Sequence, residues 1–403
     1  MRFRLVIPRI LAIYFVADAT LTVIPWTVMA PYLRLVGFTP VDYGLFGAIL
    51  TVSGIVSRFL GGFAVDRWDA LRAISITYAS FTTAMLLIAT GSRPLILAGA
   101  AVMGVGQFYD ICMKVALSRM LPEDRYDEAF SQYSSLTLAG DGIGAFAGWI
   151  PYEVSKVVGV PMVEAYRWTI AVCGLASLST IAMLWVAGLS RVRGRARGVL
   201  EGLNRSVIAL AMKISLIEAP LVLASSMAIG NAYYYFVTKY GVQSNALGTI
   251  RGIQCIARAA LTPVAPRIKR FVGGSAKTYA LVSSTCIPLL IGITLVNSFP
   301  IAATLYIVRM VVATMCAPLL SSLVMRLIPP DVRGRATSFI GIVSRGFSAA
   351  GRAVGGGLMA MNVELPFRVA SAFYALSYAL IALVLGAMER RVSQRACGCS
   401  SRS

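Results

Sequence analysis

The chain has 403 residues, of which 58% are hydrophobic and 13% are charged, and its mean hydropathy is +0.76. A soluble domain of ordinary composition carries about a quarter charged residues, so this composition excludes that class. The apolar residues form blocks of roughly 18 to 25 residues, the length that a helix needs to cross a bilayer. Because a backbone in lipid must satisfy its own hydrogen bonds, and because the blocks lack the alternation of barrel strands, they predict membrane helices.

In chain order, the blocks predict an all-α membrane protein of twelve transmembrane helices. The first six predicted spans are 9–33, 43–65, 73–91, 95–117, 130–151 and 167–189. The other six are 215–238, 247–267, 276–297, 301–325, 336–360 and 367–388. The basic N-terminus resembles a secretory signal, but the block after it is too long and no small-residue cleavage site follows, so it is predicted as the first span.

One long polar interruption divides the spans six and six. This predicts an N-terminal six-helix bundle over 1–189, a basic cytoplasmic linker over 190–214, a C-terminal six-helix bundle over 215–390 and a cytoplasmic tail over 391–403. The later part of the linker carries an apolar face that is typical of a helix lying on the membrane surface. That face consists of Leu200, Leu203, Val207, Leu210 and Ile214.

The net charge of +20, from 37 Lys and Arg against 17 Asp and Glu, is distributed unevenly. Most of the basic residues fall in segments that are cytoplasmic if both termini are, as the positive-inside rule requires. The densest run, Arg191 to Arg197, lies in the linker, where it can contact anionic lipid headgroups. We therefore expect a multi-pass protein of the plasma membrane with both termini cytoplasmic, a lipid bilayer as partner and no nucleic acid.

Histidine is absent and the seven cysteines lack the spacing of metal ligands. Cys397 and Cys399 form an isolated pair that supports neither a zinc site nor a disulfide. We therefore expect no metal and no cofactor, and any proton chemistry must run on carboxylates. No Gly-rich nucleotide-binding loop followed by Lys-Ser or Lys-Thr occurs, which argues against transport powered directly by ATP hydrolysis.

The two halves of the chain resemble each other. Shifted by 204 residues, Gly37 and Gly44 fall on Gly241 and Gly248, and shifted by 207 the segment 119–131 falls on 326–338. The second shift also matches a further pair of glycines in each half: Gly144 and Gly148 with Gly351 and Gly355. This predicts an internal duplication, which in transporters places the substrate site between two halves that rock on each other.

The end of the second span carries a motif, Gly62-Phe-Ala-Val-Asp66-Arg67 followed by Arg72. It resembles the signature of the major facilitator superfamily, although Asp69 stands where that family has a second glycine. The stretch 329–336 likewise resembles the family's loop between spans ten and eleven. The resemblance implies two pseudo-symmetric six-helix bundles, and it implies that Asp66 caps a neighbouring helix in a cytoplasmic gate that breaks when the transporter changes state. The equivalent stretch of the second half, 266–270, has lost the acid.

Ionisable residues inside predicted spans each cost at least about 2.5 kcal/mol, so each needs a partner, a cavity or a function. The candidates are Asp18, Arg58, Asp110, Lys114, Asp141, Arg258, Arg309, Arg345 and Arg352, with Glu218 and Arg251 nearer span ends. Several share one helix face with other polar residues, as Arg251, Gln254 and Arg258 do. Each is either an internal ion pair that holds helices together or part of a solute path. Arg58 is also a candidate for the gate. Tyr233, Tyr234 and Tyr235 either line a cavity or belong to an aromatic belt.

Basic candidates outnumber acidic ones, and a substrate with negative charge would balance the excess while it crosses. The sequence therefore predicts a monomeric secondary transporter, not an enzyme, whose substrate is a small anionic or zwitterionic metabolite. It also predicts proton coupling through buried Asp residues, with Asp18 as the leading candidate. A proton-coupled efflux pump for drug-like compounds is the alternative.

Overall fold

The computed structural model describes residues 27–67, 70–107, 136–137, 139–186, 205–261, 268, 271–272, 274–328 and 333–390. Within these ranges the regular structure is helical. The first helices are α1 (Met29–Leu35), α2 (Pro40–Arg67), α3 (Ala70–Ala89), α4 (Arg93–Val105), α5 (Ile150–Val158) and α6 (Met162–Val186). Residues 139–146 are also helical and run through the 3-10 turn Ala147–Trp149 into α5.

The later helices are α7 (Arg205–Ala228), α8 (Ala232–Tyr240), α9 (Ser244–Leu261), α10 (Ser275–Ser284), α11 (Cys286–Leu295), α12 (Phe299–Met315), α13 (Ala317–Leu327), α14 (Arg333–Met361) and α15 (Leu365–Leu380). The 3-10 turn Ile229–Asn231 joins α7 to α8, and the π-helical segment Ile381–Leu385 extends α15.

Seven helical segments in the described ranges are long and apolar enough to cross a membrane. They are Pro40–Ser57, Leu71–Ala89, Met162–Val186, Val207–Tyr240, Ser275–Leu295, Phe299–Leu327 and Leu365–Arg390. Large apolar side chains on their outer faces are exposed, for example Val172 at 62% and Trp185 at 67% on α6. The all-helical membrane class is therefore confirmed, whereas the count of twelve spans stays a prediction.

The chain forms two compact units. The first unit comprises residues 1–199 and 233–256, and the second comprises 200–232 and 257–403. The first unit thus includes α8 and most of α9, which the sequence assigns to the C-terminal bundle. The predicted domain boundaries stay a prediction.

In the first unit, small residues let α3 and α6 approach closely. The Thr82 hydroxyl donates to the carbonyl of Gly174 at 2.8 Å and lies 2.9 Å from the Ser177 hydroxyl. A Cβ at Gly174 would come within 2.6 Å of the Met85 Cβ, so this crossing requires glycine. The remaining neighbours are α4, which packs on α2 and α3, and α5, which packs on α6.

In the second unit, α7 begins ten residues before the predicted seventh span and continues without a break. Its residues Ala211 and Ile214 belong to a buried apolar cluster with side chains from α13 and α14, and Val207 and Leu210 pack against that cluster. In the described part of the apolar face that the sequence suggested for the membrane surface, Val207, Leu210 and Ile214 are therefore packed against protein, whereas Leu200 and Leu203 lie outside the described residues. The apolar periodicity was read correctly, but periodicity does not say what covers a face.

Helix α7 also packs against α14 and α15. Ser226 and Ser348 share a hydrogen bond of 2.7 Å, and a Cβ at Gly351 would lie 2.7 Å from the Leu223 carbonyl oxygen. Gly37 and Gly241, equivalent in the predicted duplication, follow α1 and α8 with φ of 87° and 67°. Glycine adopts this left-handed conformation most easily, so the equivalent glycines also share a structural role.

A carboxylate near the end of the described chain caps a helix of the second unit. Both oxygens of Glu389 accept hydrogen bonds from the first backbone amides of α10, those of Ser275 at 2.8 Å and Ala276 at 3.0 Å. An anion at a helix N-terminus is favoured by the free amides and by the helix dipole. Glu389 thus caps α10, which begins five residues after the stretch 266–270 in the sequence, where the motif has lost its acid.

Candidate functional site

The helical segment 139–149 and helix α9 cross at glycines in the first unit. A Cβ at Gly148 would lie 2.5 Å from the Ser244 carbonyl oxygen and 3.3 Å from the Gly248 Cα. One turn along α9, a Cβ at Gly252 would meet the Phe146 ring at 2.5 Å. Glycines at these positions let the two backbones approach closely, which brings the side chains beside the crossing into reach of each other.

Asp141 and Arg251 form an ion pair beside this crossing. The Arg251 guanidinium donates to Asp141 Oδ2 at 3.1 Å, and the side chains of Arg251 and Asp141 are 14% and 16% exposed, respectively. The pair joins residues 110 positions apart in the chain. Removing one partner of such a pair typically costs about 3–5 kcal/mol, because the other charge is then left uncompensated.

Gln254 lies one turn beyond Arg251 on α9 and is fully buried. Among the described residues, neither the nitrogen nor the oxygen of its amide has a hydrogen-bond partner. Buried polar groups are nearly always satisfied, so such an amide calls for a partner that is not a described part of this chain. A polar ligand supplies one, because the amide both donates and accepts.

A hydrogen-bonded cluster closes the crossing at the start of α9. The Ser244 hydroxyl donates to the carbonyl of Gly148 at 2.6 Å, and the Tyr166 hydroxyl donates to the Ser244 hydroxyl at 3.2 Å. Nearby, the Trp149 indole donates to the Thr249 hydroxyl at 3.2 Å. These contacts tie α9 to two other helices of the first unit.

Helix α8 is tied to the same unit through its tyrosines. The Tyr234 hydroxyl donates to the Phe38 carbonyl at 2.6 Å, and its ring stacks on Tyr43 with centroids 4.7 Å apart. Arg34 donates to the carbonyl of Val237. Tyr233, Tyr234 and Tyr235 are each at most 7% exposed, so they pack inside the protein and do not form an outer aromatic belt.

A second buried arginine, Arg309 on α12, lies in the second unit and is 3% exposed. Its guanidinium donates to the Tyr374 hydroxyl and lies 5.0 Å from the centroid of that ring. Tyr378 stacks on Tyr374 with centroids 5.7 Å apart, and Tyr279 lies edge-on to Tyr378. Among the described residues, no carboxylate forms an ion pair with Arg309, and its guanidinium is held by Tyr374 and by the Met310 sulfur, which lies 3.1 Å away.

The remaining predicted site residues are placed only in part. Asp18, Asp110 and Lys114 lie outside the described residues. The last turns of α2 contain Gly62, Asp66 and Arg67, and Arg58 lies one turn earlier. The side chains of this part of α2 lie outside the described structure. Arg72, on α3, is exposed. In the second unit, Arg258, Arg345 and Arg352 are half-buried and each makes contacts. Arg352 packs against Gly230.

Sequence reasoning named Asp141 and, near a span end, Arg251, and it noted the stripe of Arg251 and Gln254. It did not pair Arg251 with Asp141, because nothing in the sequence indicates that these two helices meet. No cluster of three or more His, Cys, Asp or Glu side chains suited to a metal occurs in the part of the chain that the structure describes.

The apolar helices and the charges buried among them define a multi-pass helical membrane protein. A family model, the Major Facilitator Superfamily, matches residues 10–351. The chain therefore belongs to the Major Facilitator Superfamily, and it is a transporter and not an enzyme. The resemblance carried by the Gly62 motif is confirmed at the level of the family.

Solved structures with the same fold include transporters of different solutes. A bacterial homologue of the human lysosomal transporter Spinster, in an inward-facing and unoccupied conformation, is 15% identical with a TM-score of 0.70 over 97% of both chains. The nucleoside transporter NupG is 14% identical with a TM-score of 0.71 over 95% of this chain and 99% of that one. The D-xylose-proton symporter is 11% identical with a TM-score of 0.70 over 93% and 96%. A search of curated proteins gives no significant match.

Proposed function

We propose that the chain is a secondary active transporter of twelve spans that moves a small anionic or zwitterionic solute across the plasma membrane by alternating access. The observation that carries this proposal is the buried pair of Asp141 and Arg251. It joins a helix of the first sequence half to a helix of the second, and the duplicated halves of transporters move relative to each other. A pair at such a contact can break and re-form in each cycle.

The chemistry of the pair favours a charged solute. An arginine offers its planar fork of donors to a carboxylate or phosphate, and Asp141 accepts from an ammonium group. A solute that carries both charges replaces each partner as the pair opens, so neither side chain is left uncompensated. The amide of Gln254, one turn away, then satisfies a further polar group of the solute.

The other predicted elements complete the proposal. Gly62, Asp66, Arg67 and Arg72 form a cytoplasmic gate, and the protein works as a monomer with both termini cytoplasmic. The additional candidates along the solute path are Asp18, Asp110, Lys114, Arg258, Arg345 and Arg352. Arg309 is set apart from them, since its tyrosine surroundings favour a structural role.

The test begins with thermal unfolding of the purified protein at two pH values against amino-acid-like zwitterions, small carboxylates, neutral sugars and lipophilic cations. Zwitterions or anions should stabilise it, by about 2.7 kcal/mol at a hundred times Kd. Uptake of the stabilising solutes is then measured in liposomes.

The double variant Asp141→Asn/Arg251→Gln should lose both binding and uptake. The matched control is Glu164→Gln/Arg167→Gln, which removes a more exposed ion pair of the same unit, with N and O 2.7 Å apart, and should retain both. Robust movement of neutral sugars or lipophilic cations, with anions and zwitterions ignored, would contradict the proposal.

A further inference from the structure

Glu218 is an acidic residue inside an apolar helix. The observed start of that helix places Glu218 deeper within the helix than the sequence predicted. The predicted seventh span began at residue 215, which put Glu218 near an end. Helix α7 begins at Arg205, and the apolar segment Val207–Tyr240 contains Glu218 well inside its length. Glu218 lies roughly 20 Å along the helix from Arg205, at a rise of about 1.5 Å per residue.

The apolar cluster of the second unit separates Glu218 from the start of α7. Ile214, one turn earlier on α7, is fully buried in that cluster with residues of α13 and α14. Glu218 itself is partly buried, and among the described residues it has no ion-pair or hydrogen-bond partner. It is thus unlike Asp141, whose carboxylate is held by Arg251.

The described helices packed against α7, together with α10, carry several charged or titratable groups. Arg326 on α13 and Arg368 on α15 are both exposed. Helix α14 carries Arg345 and Arg352, which make contacts of their own. Helix α15 carries Tyr374 and Tyr378, which stack on each other. Tyr279 of α10 lies within electrostatic range of Glu218. The π-helical segment Ile381–Leu385, which also contacts α7, has no titratable side chain.

Among the described residues, none of these groups forms an ion pair or a hydrogen bond with Glu218. A carboxylate in an apolar helix without a cationic partner is costly, and the usual outcome is that the group binds a proton and becomes neutral. When water reaches the carboxyl group, hydration stabilises the charged form and the proton leaves. A conformational change that alters water access therefore changes proton occupancy.

We infer that Glu218 is a proton-binding site of the transport cycle. Its carboxylate takes up one proton from water to form the neutral acid while it is buried, and it returns that proton to water when the cycle hydrates it. This inference rests on the proposed transport function and gives a coupling role to a residue that the sequence had placed only near a span end. It also separates two roles, with Asp141, the partner of Arg251, facing solute, and Glu218, which has no ion-pair partner in the described part of the chain, carrying the proton.

The direct test is infrared spectroscopy of the protein in lipid vesicles between about pH 5 and pH 9, a range above the ordinary titration of a solvated carboxyl. The wild type should show the band of a protonated carboxyl that disappears as pH rises. Glu218→Gln should lack that titrating band, whereas Glu218→Asp should keep a shifted one. The matched control is Glu153→Gln, at an exposed acid on α5, which should leave the band unchanged.

A titrating band that survives in Glu218→Gln overturns the inference, whether or not the protein transports, because this measurement needs no solute. A second readout uses the solute that best stabilises the wild type. Glu218→Gln should keep its binding but flatten the pH dependence of its uptake in liposomes, whereas Asp141→Asn/Arg251→Gln should lose binding. Unchanged pH dependence in Glu218→Gln would also contradict the inference, and loss of binding only in the Asp141 variant would leave the transport proposal standing.

Discussion

Two arginines, Arg251 in the first unit and Arg309 in the second, are buried in different ways. Arg251 meets the carboxylate of Asp141 at 3.1 Å, beside an amide that has no partner among the described residues. Arg309 is held by Tyr374 through a hydrogen bond and the face of the ring. The first arrangement contains opposite charges and an unsatisfied polar group, so a solute can compete for it. The second lies against aromatic side chains. Its Nε also has no hydrogen-bond partner among the described residues, but no acid there is paired with it for a solute to replace.

The comparison teaches that a buried charge in a transporter is not by itself a substrate site. A cation over a tyrosine ring is stabilised without any acid, by up to about 2 kcal/mol when it is desolvated. Such a residue can tie helices together permanently. A carboxylate–guanidinium pair between helices that separate is instead a switchable contact, and the three predictions below test that distinction.

The largest effect is expected at Asp141. Asp141→Asn should lower the free energy of unfolding by about 3 kcal/mol, because Arg251 then keeps a charge without its acid. Adding Arg251→Gln should recover part of that loss, since the double variant has no orphaned charge. Thermal and denaturant unfolding in detergent micelles measure all three proteins, and a double variant less stable than the sum of the singles would refute the pairing.

A smaller effect is expected at the crossing that supports the pair. Gly148→Ala should destabilise by about 2 kcal/mol, since the new methyl group overlaps backbone of α9. Gly346→Ala on α14 is the matched control, because a Cβ there meets no atom within 4 Å. It should be neutral or slightly stabilising, as alanine restricts the unfolded chain. Equal losses in the two variants would mean that the close approach at Gly148 does not exist.

The smallest effect is expected at Arg309. Arg309→Met should change stability by less than about 1.5 kcal/mol, because no described acid is left without its partner and apolar replacements of buried charges are often neutral. Binding of the stabilising solute should stay at the wild-type level. If this variant lost solute binding but kept its stability, Arg309 would belong to the solute site. The proposed difference between Arg309 and Arg251 would then be wrong.

Much of the fold was predictable from the sequence, because a chain in lipid has few options. The apolar blocks and the Gly62 motif led to the family, and Gly37 and Gly241 were matched before their shared left-handed conformation was known. The start of α7 was not predictable, since the exposed Arg205 and Lys213 interrupt the apolar pattern there. Residues of α13 and α14 cover the described part of the apolar face, from Val207 to Ile214, and sequence periodicity cannot distinguish that cover from a membrane surface.

The site was predictable only in pieces. Asp141 stood out as an acid among glycines, and Gly148 and Gly248 were noted as repeat positions. That they meet in a helix crossing depends on tertiary packing between segments about a hundred residues apart, which local patterns do not encode. Gln254 was placed on the stripe of Arg251 by helical spacing, but the absence of a described partner is visible only once its neighbours are known.

The most direct test of the central claim is whether α9 separates from the helix that carries Asp141. Spin labels at Val157, which is 79% exposed on α5, and at Gln243, exposed just before α9, report that distance in a chain whose seven cysteines are replaced by serine. The account predicts two distance populations by pulsed electron resonance in lipid, with their ratio shifted by a stabilising solute and by Asp141→Asn. A single short distance under all these conditions would contradict it.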